Sequence, residues 1–170
     1  DYLTSFPQFA DGKGLNPLLQ NYWMTIHPPT LFLGFAACSV PFAYAVGALW
    51  RRDFRGWIKP VLPYSFFAVG ILGAGILMGG AWAYEALSFG GFWAWDPVEN
   101  SSLVPWMVLV AASHLLLINR NRKKPTALFS TVYLNILAFL LVLYSTFLTK
   151  SGVLGDTSVH SFVDSGILPQ

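Results

Sequence analysis

The chain has 170 residues, of which 55% are hydrophobic, 16% aromatic and only 11% charged, and its formal net charge is +2. A soluble domain carries about 25% charged residues, so the composition argues against a soluble globular protein and indicates one whose natural solvent is lipid. A single cysteine, Cys38, excludes an internal disulfide. Because the chain starts without an initiator methionine or a signal peptide, we expect it to be part of a longer protein.

Four long apolar runs predict an all-α fold, a polytopic membrane helix bundle with about four transmembrane helices. Pro28 and Pro29 are favourable at the first positions of a helix, so the first span is predicted to begin just after His27. Pro60 and Pro63 are predicted to open the second span in the same way. We expect a single membrane domain over 1–170, with spans at 29–50, 62–84, 103–119 and 127–149 and an aromatic loop at 85–102.

Glycines in the second span have the spacing of tightly packed membrane helices. Gly75 and Gly79 form a small-x-x-x-small pair, which in lipid lets two helix backbones approach closely. A nucleotide-binding loop would need a preceding strand, and the sequence predicts none.

The loop between the second and third spans is rich in aromatic residues. Residues 89–95 contain four aromatic rings and two glycines. Aromatic faces beside glycines suit a large planar ligand such as a porphyrin, but an aromatic belt at the bilayer interface would have the same composition. The loop residues alone leave both interpretations open.

The end of this loop carries a helix-start signal. Asp96, Pro97 and Glu99 have the residue types and spacing of a capping box with proline at the first helical position. Two carboxylates three residues apart could also serve acid and base catalysis, but we interpret them as a cap.

Basic residues are concentrated in two short loops. Eight of the ten Lys and Arg residues lie in 51–59 and 120–124, and the positive-inside rule assigns such loops to the cytoplasm. The aromatic loop and both termini are then predicted to lie together on the outer face.

The predicted topology places the three histidines and so limits what each could bind. His27 and His160 are both predicted on the outer face beside the aromatic loop, where two imidazoles could ligate a haem iron or remain ordinary interfacial side chains. His114 lies inside an apolar segment, and an unpaired ring there would be costly. We expect it to pair with a polar group of a neighbouring helix or with a metal.

A resemblance covers most of the chain. The Trp-Ala-Trp-Asp-Pro-Val-Glu-Asn sequence at 93–100 resembles the tryptophan-rich WWD signature of haem-handling proteins of cytochrome c maturation. Within that group it is most similar to the CcmF-type subunit of cytochrome c haem lyase. Further motifs in matching order lie at 14–20, 27–29, 151–154 and 158–160.

The resemblance implies roles for individual residues. His27 and His160 match the axial ligands of an outer haem, and His114 matches one of two transmembrane histidines that hold a b-type haem iron. The second ligand of that buried haem has no counterpart in this chain. The residues that match the haem-binding segment of the loop are Gly90, Gly91, Phe92, Trp93, Trp95 and Asp96.

The function implied by the resemblance is covalent attachment of haem to apocytochrome c through thioether bonds. Catalysis would belong to a holocytochrome c synthase complex, and this chain supplies no catalytic nucleophile. The implied partners are the haem chaperone CcmE, apocytochrome c, maturation subunits such as CcmH and membrane lipid, with no nucleic acid. The implied location is the bacterial inner membrane or its equivalent, with the WWD loop on the periplasmic face.

Three alternatives remain at this point. A haem exporter or single-subunit synthetase of the same WWD group would lack the continuation at 96–100 and the tail motifs at 151–160. A non-enzymatic haem-docking scaffold is compatible with every motif. An unrelated transporter core would need polar residues along its spans, for which His114 and Asn135 are nearly the only candidates.

Overall fold

The computed structural model describes residues 14–154 apart from residue 16 and residues 88–90. A short 3₁₀ helix precedes five α-helices, and no strand occurs in the described residues. The 3₁₀ helix is Pro17–Leu19, and the α-helices are α1 (Tyr22–Ala37), α2 (Ser39–Arg51), α3 (Ile58–Ala86), α4 (Pro97–Asn119) and α5 (Leu128–Lys150).

The helices form four segments that are long and apolar enough to cross a membrane. Only Cys38 separates α1 from α2, so Tyr22–Arg51 counts as one segment, and α3, α4 and α5 are the other three. The prediction of an all-α bundle with about four transmembrane helices is confirmed.

The first helix begins at Tyr22, earlier than the predicted start of the span at residue 29. The Asn21 side chain accepts the Trp23 N–H at 2.8 Å and caps the helix, while Pro28 and Pro29 lie inside it. An amide-type N-cap is a strong start signal, and it outweighs the preference of proline for the first turn. As a consequence, His27 is a helical residue whose ring faces a neighbouring helix.

The other helix starts also differ from the predicted span limits. α3 begins at Ile58, before Pro60, and Pro63 lies inside the helix. α4 begins at Pro97, the first helical position that the capping box predicts, and the helix therefore extends ahead of the expected membrane span at 103–119.

Close packing of α1 on α3 depends on glycine. A Cβ on Gly75 would lie 2.8 Å from the Leu31 Cα, and a Cβ on Gly34 would lie 2.6 Å from the Leu72 Cα. Both contacts are with helix backbone, which cannot move aside easily. The prediction that Gly75 marks a close helix contact is confirmed.

The core has two clusters, one toward each end of the bundle. One cluster joins Ala48, Trp57, Leu116 and Val132, which adjoin the two basic loops. These loops therefore lie at the same end, which we call the basic end. The aromatic loop and the end of α5 lie at the other, which we call the loop end. The second cluster includes Leu72, Leu109 and Val142 and packs against Trp93 and Trp106 of the loop end.

The turn at the basic end is organised by one carboxylate. Asp53 accepts the N–H groups of Gly56 at 2.8 Å and Arg55 at 3.1 Å. These hydrogen bonds, the one from Gly56 foremost, hold the pKa of Asp53 below its ordinary value. The turn is therefore fixed by an ionised side chain at physiological pH.

We predict that Gly75→Ala destabilises the protein by about 1–3 kcal/mol, because the new methyl group would press on the α1 backbone. The matched control is Gly70→Ala in the same helix, where a Cβ meets nothing within 4 Å. Thermal unfolding of the two full-length variants in detergent checks this. Equal unfolding temperatures would contradict the close-contact role of Gly75.

Candidate functional site

The aromatic loop is fastened to the start of α4 by a reciprocal cap. The Asp96 side chain accepts the N–H of Val98 at 2.9 Å and of Glu99 at 3.3 Å. Glu99 in return accepts the Asp96 N–H at 3.3 Å and the Ala94 N–H at 3.1 Å. The predicted capping box is confirmed, and it also fixes the backbone of the loop before the helix.

Trp95 occupies a backbone conformation that side-chain-bearing residues rarely adopt. Its φ is +59°, in the left-handed region where a bulky residue needs support from its surroundings. The Asn100 amide provides it by donating to the Trp95 carbonyl at 2.9 Å. The ring is 70% exposed and meets Trp93 edge to face, with centroids 6.2 Å apart. The loop therefore presents an aromatic surface in a fixed orientation.

Two cavities meet at Trp93. We call the first the histidine cavity. It has a volume of about 360 Å³ and lies between α1, α3, α4 and α5. It is lined by His27, Pro28, Leu31, Phe32, Phe35, Ile76, Gly79, Gly80, Trp93, Val98, Glu99, Ser102, Ser145, Thr146, Thr149 and Lys150.

The second cavity is aromatic and aliphatic, and we call it the tryptophan cavity. It has a volume of about 450 Å³. It is lined by Gly73, Ile76, Leu77, Phe92, Trp93, Trp95, Leu103 and Trp106. Trp93 and Ile76 line both cavities, so they form the wall between them.

The indole N–H of Trp93 is buried and has no hydrogen-bond partner among the described residues. A buried donor without an acceptor costs about 1–3 kcal/mol, and the Trp57 indole N–H and the Asn135 amide oxygen are in the same situation elsewhere in the described residues. The neighbouring Phe92 ring rests directly on Gly80, which brings the loop onto α3.

His27 reaches the histidine cavity from α1. Its Nδ1 lies 2.7 Å from the Gly75 carbonyl oxygen, and because a carbonyl only accepts, Nδ1 carries the proton. The lone pair is then on Nε2, as a metal-binding imidazole requires. A Cβ on Gly79 would lie 2.6 Å from Cε1 of this ring. The second glycine of the predicted pair thus makes room for the histidine.

His114 does not join this site. It is exposed on α4, and its Nδ1 lies 2.8 Å from the Val110 carbonyl oxygen, one turn earlier in the same helix. This bond differs from the expected pairing with a neighbouring helix or a metal. It places the proton on Nδ1 and leaves the Nε2 lone pair directed away from the carbonyl.

The structure thus brings together some predicted site residues and separates others. His27 and Trp93 share the histidine cavity, and Phe92, Trp93 and Trp95 share the tryptophan cavity. Gly91 and Asp96 belong to the loop that positions these rings. The described residues contain no group of three metal-ligating side chains. Gly90 and His160 lie outside the described residues.

Sequence reasoning missed a carboxylate that joins α1 to α3. Glu85 accepts the Asn21 amide N–H and the Trp23 indole N–H, both at 3.0 Å. Nearby, the Trp82 indole donates to the Leu18 carbonyl at 2.9 Å. Glu85 is the only acidic residue of α3, and a lone carboxylate in an apolar helix was a signal for such a role.

Comparison with known proteins gives one consistent result. Residues 2–154 match the family model described as cytochrome C assembly protein. The chain is 46% identical over 156 residues to the cytochrome c-type biogenesis protein CcmF of Pseudomonas aeruginosa, covering 89% of this chain. It is 43% identical over 162 residues to the CcmF of Escherichia coli, covering 94% of this chain.

A solved structure is also similar. The structure titled cytochrome c heme lyase CcmF superimposes with a TM-score of 0.70 and 40% identity, covering 81% of this chain and 23% of that one. The chain likewise spans 23% of the length of the Pseudomonas relative.

We predict that Glu99→Ala loosens the loop while leaving the helices folded. The amides of Ala94 and Asp96 lose a charged acceptor worth about 1.5 kcal/mol, so their hydrogen exchange should speed up about tenfold. Glu99→Gln keeps an oxygen acceptor and should have a smaller effect. Unchanged hydrogen exchange at both amides would contradict the role of Glu99 in holding the loop backbone.

Proposed function

The chain belongs to the cytochrome c assembly protein family, and from that premise we propose that it positions haem at the loop end for covalent attachment to apocytochrome c. Its apolar helices make it an integral membrane protein. The observation that carries the proposal is the histidine cavity, in which His27 and Trp93 line the same space.

The residues of this cavity suit a haem. His27 would hold the haem iron through Nε2, and Gly79 leaves room beside the ring. The Trp93 ring lines the same cavity and would offer an aromatic face to the haem. His160, outside the described residues, would supply the second axial ligand, and Gly90, Gly91 and Asp96 would shape the loop against the haem edge.

Attachment requires that each cysteine thiol of the apocytochrome add to a vinyl group of haem. The sulfur bonds to one vinyl carbon and the hydrogen goes to the other, so no atom leaves and the step is redox-neutral. Thiolate is the reactive form. The one cysteine of this chain, Cys38, is 1% exposed and donates to the Gly34 carbonyl at 3.2 Å, so the substrate must supply the nucleophiles.

The role of this chain is then to orient the haem and to exclude side reactions. Holding two reactants in the correct geometry replaces a bimolecular encounter with an intramolecular step. The hydrogen bonds that Asp96, Glu99 and Asn100 make to the loop backbone keep the tryptophans in place for this purpose.

His114 would serve a second, b-type haem in the intact protein. Its ring is exposed on α4, so a ligand from elsewhere in a longer chain could complete the site. When bound, such a haem would supply one electron to reduce the outer haem iron from the ferric to the ferrous state.

The same proposal implies partner proteins and an orientation in the membrane. CcmE would deliver haem to the loop end, and CcmH and other maturation subunits would present the apocytochrome. The positive-inside rule assigns the loop end to the periplasmic face, because eight of ten Lys and Arg residues lie in the basic loops at the other end.

We predict that His27→Ala weakens haem retention in the full-length protein, since an axial ligand is lost. The truncated side chain leaves a gap against Gly79, so added imidazole should restore the bis-histidine absorption bands. His160→Ala should show the same loss. Reduced and oxidised spectra measure this, and unchanged spectra in both variants would refute the axial assignment.

We predict that His114→Ala removes the b-type haem signal and leaves the outer haem bands intact. Haem loading onto apocytochrome c should also fall, because the outer haem loses its electron source. A protein that retains haem but never loads apocytochrome with its partners present would be a docking scaffold. Retention of both haem signals in His114→Ala would contradict the assignment.

A further inference from the structure

We propose that Lys150 binds a propionate carboxylate of haem in the histidine cavity, and so selects which edge of the ring faces Trp93. This inference rests on the proposed function, because it concerns the orientation of a ligand in the same cavity. It adds a residue at the end of α5 to a site that is otherwise built from α1, α3 and the aromatic loop.

Lys150 is the last residue of α5 and lines the histidine cavity together with Thr146 and Thr149. His27 lines the same cavity from α1. The site therefore has an imidazole on one helix and an ammonium group on another.

The charges of the cavity leave the lysine available. Glu99 and Lys150 are the only charged side chains in its lining as described. The Glu99 carboxylate accepts, through Oε2, the backbone N–H groups of Ala94 at 3.1 Å and Asp96 at 3.3 Å. Within the described part of the chain, Lys150 has no carboxylate partner.

Haem has an edge that matches this cation. Both of its propionates project from one edge of the ring, and burying a carboxylate without a partner is costly. Charge-assisted hydrogen bonds from an ammonium group offset that cost. The propionate edge would therefore lie at Lys150, and the apolar, vinyl-bearing part of the ring would lie toward Ile76 and Trp93.

A purely structural role for Lys150 makes a different prediction. A cation in the last turn of a helix interacts favourably with the helix dipole. That role does not depend on whether the ligand has free carboxylates. The discriminating probe is haem dimethyl ester, which keeps the iron, the ring and the vinyl groups but has no free carboxylates.

The experiment measures the affinity of the full-length protein in detergent for haem and for haem dimethyl ester. Lys150→Gln should weaken haem binding about three- to tenfold and leave ester binding unchanged. Lys150→Arg should bind haem as the unmodified protein does. Lys124→Gln, at the basic end, is the matched control and should alter neither affinity.

Two results would overturn the inference. One is equal weakening of both ligands by Lys150→Gln, and the other is an unmodified protein that binds the ester as tightly as haem, a comparison that needs no variant to fold. Failure of the proposed function gives a different pattern, in which His27→Ala and His160→Ala leave haem affinity unchanged, and the inference then fails with it.

Discussion

The close approach of α1 to α3 is the contact on which the rest of the structure depends. At Gly34 and at Gly75 the two backbones are so close that an added methyl group would clash with the facing helix. The same approach lets the His27 ring reach the Gly75 carbonyl and rest on Gly79. In lipid, where apolar side chains gain little by leaving the solvent, this packing and its hydrogen bond carry more of the association than in water.

At the loop end, backbone groups of the aromatic loop are hydrogen-bonded, but one buried side-chain donor is not. Asp96, Glu99 and Asn100 satisfy the backbone of the aromatic loop, whereas the Trp93 indole beside them is left unsatisfied. Among the described residues, the Trp57 indole N–H and the Asn135 amide oxygen are likewise buried without a partner. What sets Trp93 apart is its place in the wall between the two cavities.

The sequence was informative where a signal is local. The capping box at Asp96 and the glycine spacing at Gly75 specify their own geometry, so both predictions were confirmed. The start of α1 was misplaced because two prolines compete with the Asn21 cap, and only the folded helix shows which prevails. The pairing of His27 with Gly75, like the place of Lys150 in the cavity, depends on the rotation of helices against each other, which no short motif encodes.

The left-handed backbone at Trp95 has a consequence for what a glycine would do at this position. Glycine adopts that conformation at little steric cost, so it would relieve the backbone there and at the same time remove an exposed indole ring. The ring and the backbone strain at position 95 are therefore separable: a glycine would keep the path of the loop and lose only its aromatic surface.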